Sequence, residues 1–491
     1  MMKDFFNTAI IRSAKVYYWA YIAALIITFV FWWILAIRIP LARYIPYWFW
    51  LVTTSVRTEW WLFFPLLILS VGVILIVRRN LRVTTSILIF VVTGAIIQHA
   101  FGLMDGMGID GIRNGTIITG HAGFAREAVS LSESSFFLVA SSYDDLIFNK
   151  VLSEYPNSTK PPGQLLFYML NERVARLLPG VWESPLLQLA TFMTILWPIL
   201  ASLPVIFIYL FSKTIYEKDE SYMIASLFYI FTPSVILIPL HLDQCLYPLL
   251  FMFELVVFVF GIKKNNLFLL FLSGIITGMG LFVSFSLIAL PLYILLILVI
   301  KTGTAFLLNR RPLLHNATSV IFENVKIGFV FALGLFFWEI LLFLNISYNV
   351  FESYQLVMLS HINSKIATWS PQIILAMGGL DILEYSLWTG VPLFAMMIIY
   401  GLRSFKKLLT GNSDISLMMG AAAPILFLVL ALFGRTAGET ARLWIFLTPL
   451  TVIFSAKEIA TTFRERTWNT VAFLIVLQMI TTFSLKMWQD F

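Results

Sequence analysis

The stretch LFLLFLSGIITGMGLFVSFSLIALPLYILLILVI, residues 267–300, decides the fold class of this chain. It carries no charged residue, and a single helix of this length would measure about 50 Å at about 1.5 Å per residue. The hydrocarbon core of a bilayer is only about 30 Å thick. We therefore predict two short membrane-spanning helices that turn near residues 284–286. This turn places the flanking lysines Lys263, Lys264 and Lys301 on the same side of the membrane.

The composition of the whole chain is that of a membrane protein. Of its 491 residues, 60% are hydrophobic and 12% are charged, whereas a soluble domain is about 45–50% apolar and about 25% charged. A soluble enzyme and a disordered chain are thereby excluded. The single cysteine, Cys245, excludes an internal disulfide and a cysteine-based metal site. The net charge of +7 is expected in cytoplasmic loops rather than on a surface that binds nucleic acid.

Apolar runs predict an all-α polytopic membrane protein with about thirteen transmembrane helices. Each run is close to the roughly 20 residues that a spanning helix needs. The first run is long enough to span, so no cleaved signal peptide is expected. Besides the two helices within residues 267–300, the predicted spans are Val16–Ile37, Trp60–Val77, Val83–Leu103, Leu186–Leu210, Tyr222–Leu240, Cys245–Gly261, Ile327–Leu344, Leu383–Tyr400, Leu417–Phe433, Leu443–Ser455 and Asn469–Phe483.

The basic residues orient these spans. Cytoplasmic loops are enriched in Lys and Arg, and most of the 33 basic residues fall on one side when the N-terminus is cytoplasmic and the C-terminus is not. The large outer loop contains a predicted interfacial amphipathic helix from Gln164 to Leu178. The predicted organisation is residues 1–103 with the first three spans, 104–184 as the large outer loop, 185–344 with the next six spans, 345–382 as a second outer loop, and 383–491 with the last four spans.

Two aspartates open the large outer loop, in the segment Asp105-Gly-Met-Gly-Ile-Asp110-Gly that directly follows the third span. Among glycines, these carboxylates can sit close to the membrane surface on a tight backbone. A catalytic base that deprotonates a sugar hydroxyl, or a metal ligand, needs this placement. A solvated turn is the alternative interpretation, because Asp and Gly are common in turns.

Further along the same loop, Tyr143-Asp144-Asp145 precedes Lys160-Pro161-Pro162-Gly163. The paired prolines fix an extended backbone and can start a helix. Asp144, Asp145 and Lys160 are candidate substrate-binding residues. The helix that follows can equally serve only to cover the end of the bundle.

A third polar segment, His241-Leu-Asp243-Gln244, joins the fifth and sixth predicted spans. A carboxylate at the mouth of two apolar helices is costly unless it is paired or hydrated. His241, Asp243 and Gln244 are therefore also candidate substrate-binding residues. A simple polar turn between spans is the alternative.

The strongest local signal is Gly434-Arg-Thr-Ala-Gly-Glu-Thr-Ala-Arg442, between the eleventh and twelfth spans. Arg435 and Arg442 flank Glu439 on the outer side, where orientation needs no positive charge. Arginine presents a fork of donors that suits a phosphate, and Glu439 can orient a guanidinium or accept a proton. These three residues are the candidate donor-phosphate site, and a local salt-bridged cap is the alternative.

These segments resemble the GT-C superfamily of integral-membrane glycosyltransferases, which use lipid-phosphate-linked sugars on the non-cytoplasmic face. Residues 159–163, Thr-Lys-Pro-Pro-Gly, resemble a His-Pro-Pro-Gly-like segment of the first large outer loop, with lysine in place of histidine. Residues 232–244 and 438–449 are similar to the Pro…Asp-Gln and Gly-Glu-x-x-Arg-x-Trp…Pro patterns of the same group. The resemblance implies that Asp105 or Asp110 is the catalytic carboxylate. In most members that loop follows the first span, whereas here it follows the third.

The residues and the resemblance favour an inverting glycosyltransferase that takes a sugar from a polyprenyl-phosphate-linked donor. Arginines at the phosphate would stabilise the charge of the leaving group, and an aspartate across the cavity would activate the acceptor hydroxyl. The acceptor is left open as a glycan, a lipid or a protein. A divalent metal is also left open, since some members of the superfamily use one. We expect the plasma membrane of a prokaryote rather than the endoplasmic reticulum, with the active site on the non-cytoplasmic side.

Two alternative functions fit the same membrane setting. A lipid or solute transporter or flippase needs charged or discontinuous helices within the membrane, and Glu254 and Glu339 are the main acidic residues inside predicted spans. A ligase or polymerase that transfers a whole glycan from a lipid-linked oligosaccharide differs from the leading hypothesis only in the size of its donor.

Overall fold

The computed structural model describes residues 2–490, apart from residues 49, 54–55, 80, 119–122, 149–159, 180–183, 217–219, 309–313, 366–369 and 434–437. Within these ranges the regular structure is helical, except for one short antiparallel pairing of β1 (Leu51–Val52) with β2 (Gln489–Asp490). The backbone N–H of Thr53 extends the pairing by donating to the carbonyl of Trp488. This pairing ties the segment after the first helix to the end of the last one.

Three apolar helices begin the chain: α1 (Met2–Ala36), α2 (Phe63–Val77) and α3 (Val83–Leu103). They correspond to the first three predicted spans, although α1 ends one residue earlier and residues 60–62 form a 3-10 turn before α2. Large apolar side chains such as Trp33 and Ile68 are exposed on the outside of the bundle. A surface of this kind is what a lipid-facing helix requires.

The large loop after α3 is itself helical. The helix that corresponds to the predicted amphipathic segment buries Gln164 and Glu172, while Leu170 and Val174 are exposed. The face packed on the protein is mixed, since Leu165 is buried there as well, and the exposed apolar residues suit contact with lipid. The helices of this region are α4 (Gly108–Ile118), α5 (Gly123–Ser130), α6 (Phe136–Ser141), α7 (Tyr143–Phe148) and α8 (Pro162–Ala175).

The predicted turn within residues 267–300 is confirmed. One helix ends at Val283, and Ser284 then adopts an extended backbone whose side chain accepts a hydrogen bond from the backbone N–H of Ser286. A short 3-10 helix (Phe285–Ile288) leads into the next helix. The helices of this part of the chain are α9 (Pro185–Ser202), α10 (Pro204–Tyr216), α11 (Ser221–Ile230), α12 (Pro233–Leu237), α13 (Leu246–Lys263), α14 (Leu267–Val283), α15 (Ala289–Leu308) and α16 (Leu314–Ile346).

The predicted span Tyr222–Leu240 is broken in the structure. α11 ends at Ile230, and α12 begins at Pro233 after an extended Thr232. Proline has no backbone N–H to donate and clashes with the preceding turn, so a helix that reaches Pro233 stops and restarts there. The prediction of one continuous helix is wrong at this point.

The predicted span Leu383–Tyr400 is also not one straight helix. The axes of the helices α18 (Pro371–Thr389) and α19 (Val391–Leu409) differ by 114° across Gly390, which has a φ of +91°. Residues with a side chain rarely adopt this backbone conformation, whereas glycine does so without steric cost. The last helices are α17 (Val350–Lys365), α18 (Pro371–Thr389), α19 (Val391–Leu409), α20 (Ile415–Phe433), α21 (Thr440–Leu443), α22 (Thr448–Thr462) and α23 (Thr467–Trp488).

An all-α polytopic membrane protein is confirmed. Ten helical segments of the described ranges are long and apolar enough to cross a membrane, or up to eleven if α18 and α19 are counted as one broken span. The shorter apolar helices α11 and α14 account for the difference from the thirteen predicted spans.

The buried polar residues are unevenly distributed over the bundle. Many lie where α8, the α12–α13 connection, α18 and α21 meet, including Lys160, Asp243, Asp381, Glu384 and Arg442. The rest of the core is largely apolar. Because burying a charge is costly unless it is paired, the contacts of these residues define the candidate site.

Candidate active site

The Asp243 cluster, which consists of Lys160, Tyr168, Asp243, Glu439 and Arg442, is built around an ion pair. The Nζ atom of Lys160 lies 2.6 Å from Oδ2 of Asp243, and both side chains are buried. Burial lowers the pKa of Lys160, while the charge of Asp243 opposes that shift. Tyr168 forms a side-chain hydrogen bond with Asp243. Two of the predicted substrate-binding residues are thus in direct contact.

The start of α8 holds Lys160 in place. Pro161 is extended and Pro162 occupies the first helical position, as the paired prolines predict. A Cβ atom at Gly163 would lie 2.4 Å from the carbonyl oxygen of Phe282, so only glycine lets α8 pack this closely on the end of α14. Tyr143 donates a hydrogen bond of 2.9 Å to the carbonyl of Lys160.

Glu439 and Arg442 form the second ion pair of the Asp243 cluster. Nη2 of Arg442 lies 2.5 Å from Oε2 of Glu439 across the first turn of α21, and both side chains are buried. Both residues also act electrostatically on Lys160: Arg442 lowers the pKa of Lys160 and Glu439 raises it. The local ion pair foreseen as an alternative is therefore present, and it lies next to the Lys160–Asp243 pair. Arg435 lies outside the described residues.

Two buried carboxylates that the sequence analysis missed fix α21 to α18. Oε1 of Glu384 accepts hydrogen bonds of 2.8 Å from the backbone N–H of Ala441 and from the indole of Trp50. Oδ1 of Asp381 accepts a hydrogen bond of 2.7 Å from Thr440. The available signal was two acidic residues three positions apart in an otherwise apolar run, which places both on one helix face. These contacts position Glu439 and Arg442.

The Asp105 cluster consists of Arg57, Asp105, His241 and Lys486. Asp105 lies between two cations, with Nη1 of Arg57 at 2.5 Å from Oδ1 and Nζ of Lys486 at 2.9 Å from Oδ2. Arg57 also donates to the carbonyl of Lys486 at 3.3 Å. The β1–β2 pairing brings these two basic residues together. Both were missed, although each is a basic residue on the predicted outer side, which is the signal that singled out Arg442.

His241 connects the two clusters, because it lies in the Asp105 cluster and only two positions before Asp243 in the chain. Burial lowers the pKa of His241 to about 4; the positive charge of Lys486 acts in the same direction, and the negative charge of Asp105 opposes it. The imidazole is therefore neutral at pH 7.

The structure separates the two predicted catalytic aspartates. Asp105 is 13% exposed and belongs to the Asp105 cluster, whereas Asp110 is 71% exposed and forms an ion pair with Arg113 in the first turn of α4. The exposure of Asp110 and its ion pair within its own helix agree with the alternative interpretation, in which this aspartate belongs to a solvated surface segment. The geometry therefore favours Asp105 as the reactive candidate.

The remaining predicted substrate-binding residues differ in their surroundings. Gln244 is fully buried, and neither atom of its amide has a hydrogen-bond partner among the described residues. Such a group is suited to bind a polar ligand, since a buried polar atom without a partner is costly. Asp144 packs near Ser353 instead, and burial raises the pKa of its carboxyl group. Asp145 is exposed.

No metal site is assembled from these residues. In the described parts of the chain, no group of three or more His, Cys, Asp or Glu side chains is placed to hold a metal ion. The carboxylate of Asp105 already faces two cations, and a third positive charge there would be repelled. The described residues of the Asp105 cluster therefore do not fit a divalent cation.

Comparisons with known proteins find only distant structural similarity. No family model matches the sequence, and no curated protein matches it. Among solved structures, the chain is similar to an oligosaccharyltransferase of Archaeoglobus fulgidus. One structure of that protein, a complex with zinc and sulfate, has 13% sequence identity and a TM-score of 0.45, and covers 81% of this chain and 53% of that one.

A second structure of the same archaeal protein, tethered to an acceptor peptide, has 12% identity and a TM-score of 0.44, and covers 82% of this chain and 54% of the other. The chain thus spans about half the length of the structures it matches. Similarity at this level does not assign an activity, so the function is argued from the geometry of the two clusters.

Proposed function

We propose that the chain is a membrane glycosyltransferase of GT-C type, which transfers a sugar from a lipid-phosphate-linked donor to an acceptor at the outer end of the bundle. The observation that carries the proposal is that two buried cations, Lys160 and Arg442, lie together beside carboxylates where a bundle of apolar helices ends. A donor with an apolar tail and a phosphate head needs an apolar surface that leads to a cationic site. Both are found here.

The cations of the Asp243 cluster are preorganised for a phosphate. Each is already out of water and held by a carboxylate at 2.6 Å or less. An incoming phosphate would exchange one anionic partner for another, and the groups would need little reorientation when charge develops in the transition state. Arginine and lysine at the leaving group then stabilise the negative charge that forms there.

The bond changes follow from this arrangement. An oxygen of the acceptor attacks the anomeric carbon of the sugar as the bond from that carbon to the phosphate oxygen breaks, with inversion. The bonding electron pair stays on the phosphate, whose charge Lys160 and Arg442 stabilise. The acceptor proton passes to a carboxylate, for which Asp105 is the candidate. In this proposal Asp105 gives up one of its two cationic contacts when the acceptor binds.

The decisive experiment is a transfer assay in proteoliposomes with labelled polyprenyl-phosphate hexose and pentose, a crude lipid and glycan extract as acceptor, and nucleotide sugars as controls. Asp105→Asn is expected to lower the transfer rate by about 100-fold or more, the usual contribution of a positioned acid or base. Asp110→Asn is the matched control, because it removes the same charge from a side chain that is 71% exposed. Its transfer rate is expected to stay within about twofold of wild type.

Two results would count against the proposal. Full transfer by Asp105→Asn, in protein that elutes as wild type on size exclusion, would remove Asp105 from the mechanism. Movement of label across the bilayer without transfer would favour a transporter. Of its two acidic candidates, Glu254 accepts a hydrogen bond of 2.5 Å from Ser273 at Oε1 only. Its Oε2 and both carboxyl oxygens of Glu339 have no hydrogen-bond partner among the described residues. A whole glycan moved from a lipid-linked oligosaccharide would identify the ligase alternative.

We further propose that the protein works in the plasma membrane of a prokaryote with the two clusters on the non-cytoplasmic side. The excess of basic residues in the opposite loops supports the orientation. The sugar and the acceptor, whether glycan, lipid or protein, are to be read from the products of the same assay.

A further inference from the structure

A cavity of about 530 Å³ opens at the other end of the bundle. It lies where α10 and α22 end, beside the end of α19 and the start of α20. The two clusters of the candidate site lie at the opposite ends of the same helical runs. The charged residues that line the cavity, called here the basic cavity, are Arg403, Lys407, Asp414, Lys457, Glu458 and Arg464.

The lining of the basic cavity is positively charged overall. One cation is neutralised, because Arg403 forms an ion pair of 2.6 Å with the buried Glu458. Lys407, Lys457 and Arg464 are the other cations, and Asp414 is the other carboxylate, among the described lining residues. The excess of positive charge in a concave site favours an anionic ligand.

Several of these charges are held in position. Glu458 accepts a hydrogen bond of 2.6 Å from Tyr21 as well as contacting Arg403. The Nζ atom of Lys457 lies 4.6 Å from the ring centroid of Tyr216. A wall with a fixed ion pair and a cation seated on an aromatic ring is a built site rather than a chance group of mobile surface lysines.

The surroundings of the basic cavity are apolar. On α19, Leu402, Phe405 and Leu409 are each about half exposed and continue the lipid-facing surface towards the cavity. A basic pocket between membrane helices at the level of the headgroups has the chemistry of a lipid phosphate site.

We propose that the basic cavity binds a phosphate ester, with Lys407, Lys457 and Arg464 as the ligating cations. The phosphate can come from an anionic lipid headgroup or from a soluble phosphate compound. The site is independent of the proposed transferase reaction, because none of its residues belongs to the Asp243 or Asp105 clusters.

The test measures binding to the full-length protein in detergent. Phosphatidylglycerol, phosphatidylcholine and inorganic phosphate are titrated separately, and binding is followed by native mass spectrometry and thermal stability. The double variant Lys407→Gln with Arg464→Gln is expected to weaken binding of phosphatidylglycerol at least tenfold. Lys406→Gln with Arg466→Gln removes the same charge from neighbouring exposed positions outside the cavity lining and is expected to bind as wild type.

Competition between these probes distinguishes the two sources of phosphate. Binding of phosphatidylglycerol that inorganic phosphate does not displace identifies a lipid site, and displacement by millimolar phosphate identifies a soluble ligand. Equal weakening by both double variants would show a diffuse surface effect and overturn the proposal. The proposal would also be overturned if none of the three probes bound to the protein.

A second measurement uses only the wild-type chain and so does not depend on the folding of a variant. An amine-reactive reagent is applied with and without short-chain phosphatidylglycerol, and labelling is mapped by mass spectrometry. Protection of Lys407 and Lys457 relative to Lys406 is expected. Equal labelling of all three lysines in both conditions contradicts the proposal.

Discussion

At the scale of single residues, the candidate site is a set of buried charges that neutralise one another. The pairs Lys160–Asp243 and Arg442–Glu439 are both close and buried. Replacing such a pair by apolar residues of similar volume is often neutral or stabilising. Stability alone therefore does not account for two adjacent pairs in an otherwise apolar bundle, which agrees with the binding role proposed above.

His241 gives a prediction of pH dependence. Its pKa is lowered from an ordinary value of about 6.5 to about 4 in the folded protein. Between these values the unfolded chain binds a proton that the folded chain does not, so the free energy of unfolding falls as the pH is lowered through this window. His241→Gln is expected to flatten the dependence of the melting temperature between pH 6.5 and pH 4.

The control for this measurement is His99→Gln. The ring nitrogens of His99 lie 2.8 Å and 2.9 Å from the carbonyl oxygens of Ala95 and Thr194, and His99 lies outside the Asp105 cluster. Its loss is expected to leave the pH slope as in wild type, even if the melting temperature drops at every pH. A slope unchanged by His241→Gln would show that other groups carry the acid sensitivity.

At the scale of elements, the sequence predicts helices where apolar runs are long and misses changes of direction inside them. The turn after Val283 was predictable because the run was too long for one span. The bend at Gly390 escaped prediction because hydropathy stays high across it. The break before Pro233 was missed although the proline itself was its signal. The predicted boundary at residue 383 leaves Asp381 in the second outer loop and Glu384 at the start of a span, so their contacts with α21 could not be foreseen.

The bend between α18 and α19 gives a second prediction. A Cβ atom at Gly390 would lie 2.2 Å from Oε1 of Gln478 at a φ of +91°. Gly390→Ala is therefore expected to destabilise the protein by at least about 1–2 kcal/mol, the cost of a left-handed backbone for a residue with a side chain. The measurement is thermal unfolding in detergent.

Gly379→Ala is the matched control within α18. No atom lies within 4 Å of a Cβ placed there, and alanine is favoured over glycine in a helix by up to about 1 kcal/mol. The control is expected to be neutral or stabilising. If Gly390→Ala were as stable as Gly379→Ala, the bend would not depend on glycine.

At the scale of the whole molecule, the two sites lie at opposite ends of the helical bundle. The candidate active site contains two buried ion pairs, whose residues lie at or just before the starts of α8, α13 and α21. The basic cavity is lined by cations near the ends of α19 and α22. The charge pattern of the sequence predicts that these ends face opposite sides of the membrane. The fold class could be predicted from composition alone, whereas the partners of each charge depend on contacts between distant segments.

Site-directed labelling tests this orientation. In a Cys245→Ser background, Met107→Cys and Lys406→Cys each introduce one cysteine at an exposed position near one end. A membrane-impermeant maleimide added to intact cells is expected to label Met107→Cys at once and Lys406→Cys only after permeabilisation. The reverse pattern would invert the proposed topology, and labelling of both in intact cells would contradict the placement of the two ends.

The contact between Asp105 and Lys486 joins residues 381 positions apart. A ribosome that adds about 5–20 residues per second makes the lysine roughly 20–75 s after the aspartate, when most of the intervening helices have already entered the bilayer. Throughout that interval the nascent chain must neutralise the carboxylate of Asp105 at the membrane surface without Lys486. Arg57, which is synthesised before Asp105 and contacts its other oxygen, is the partner already present to do so.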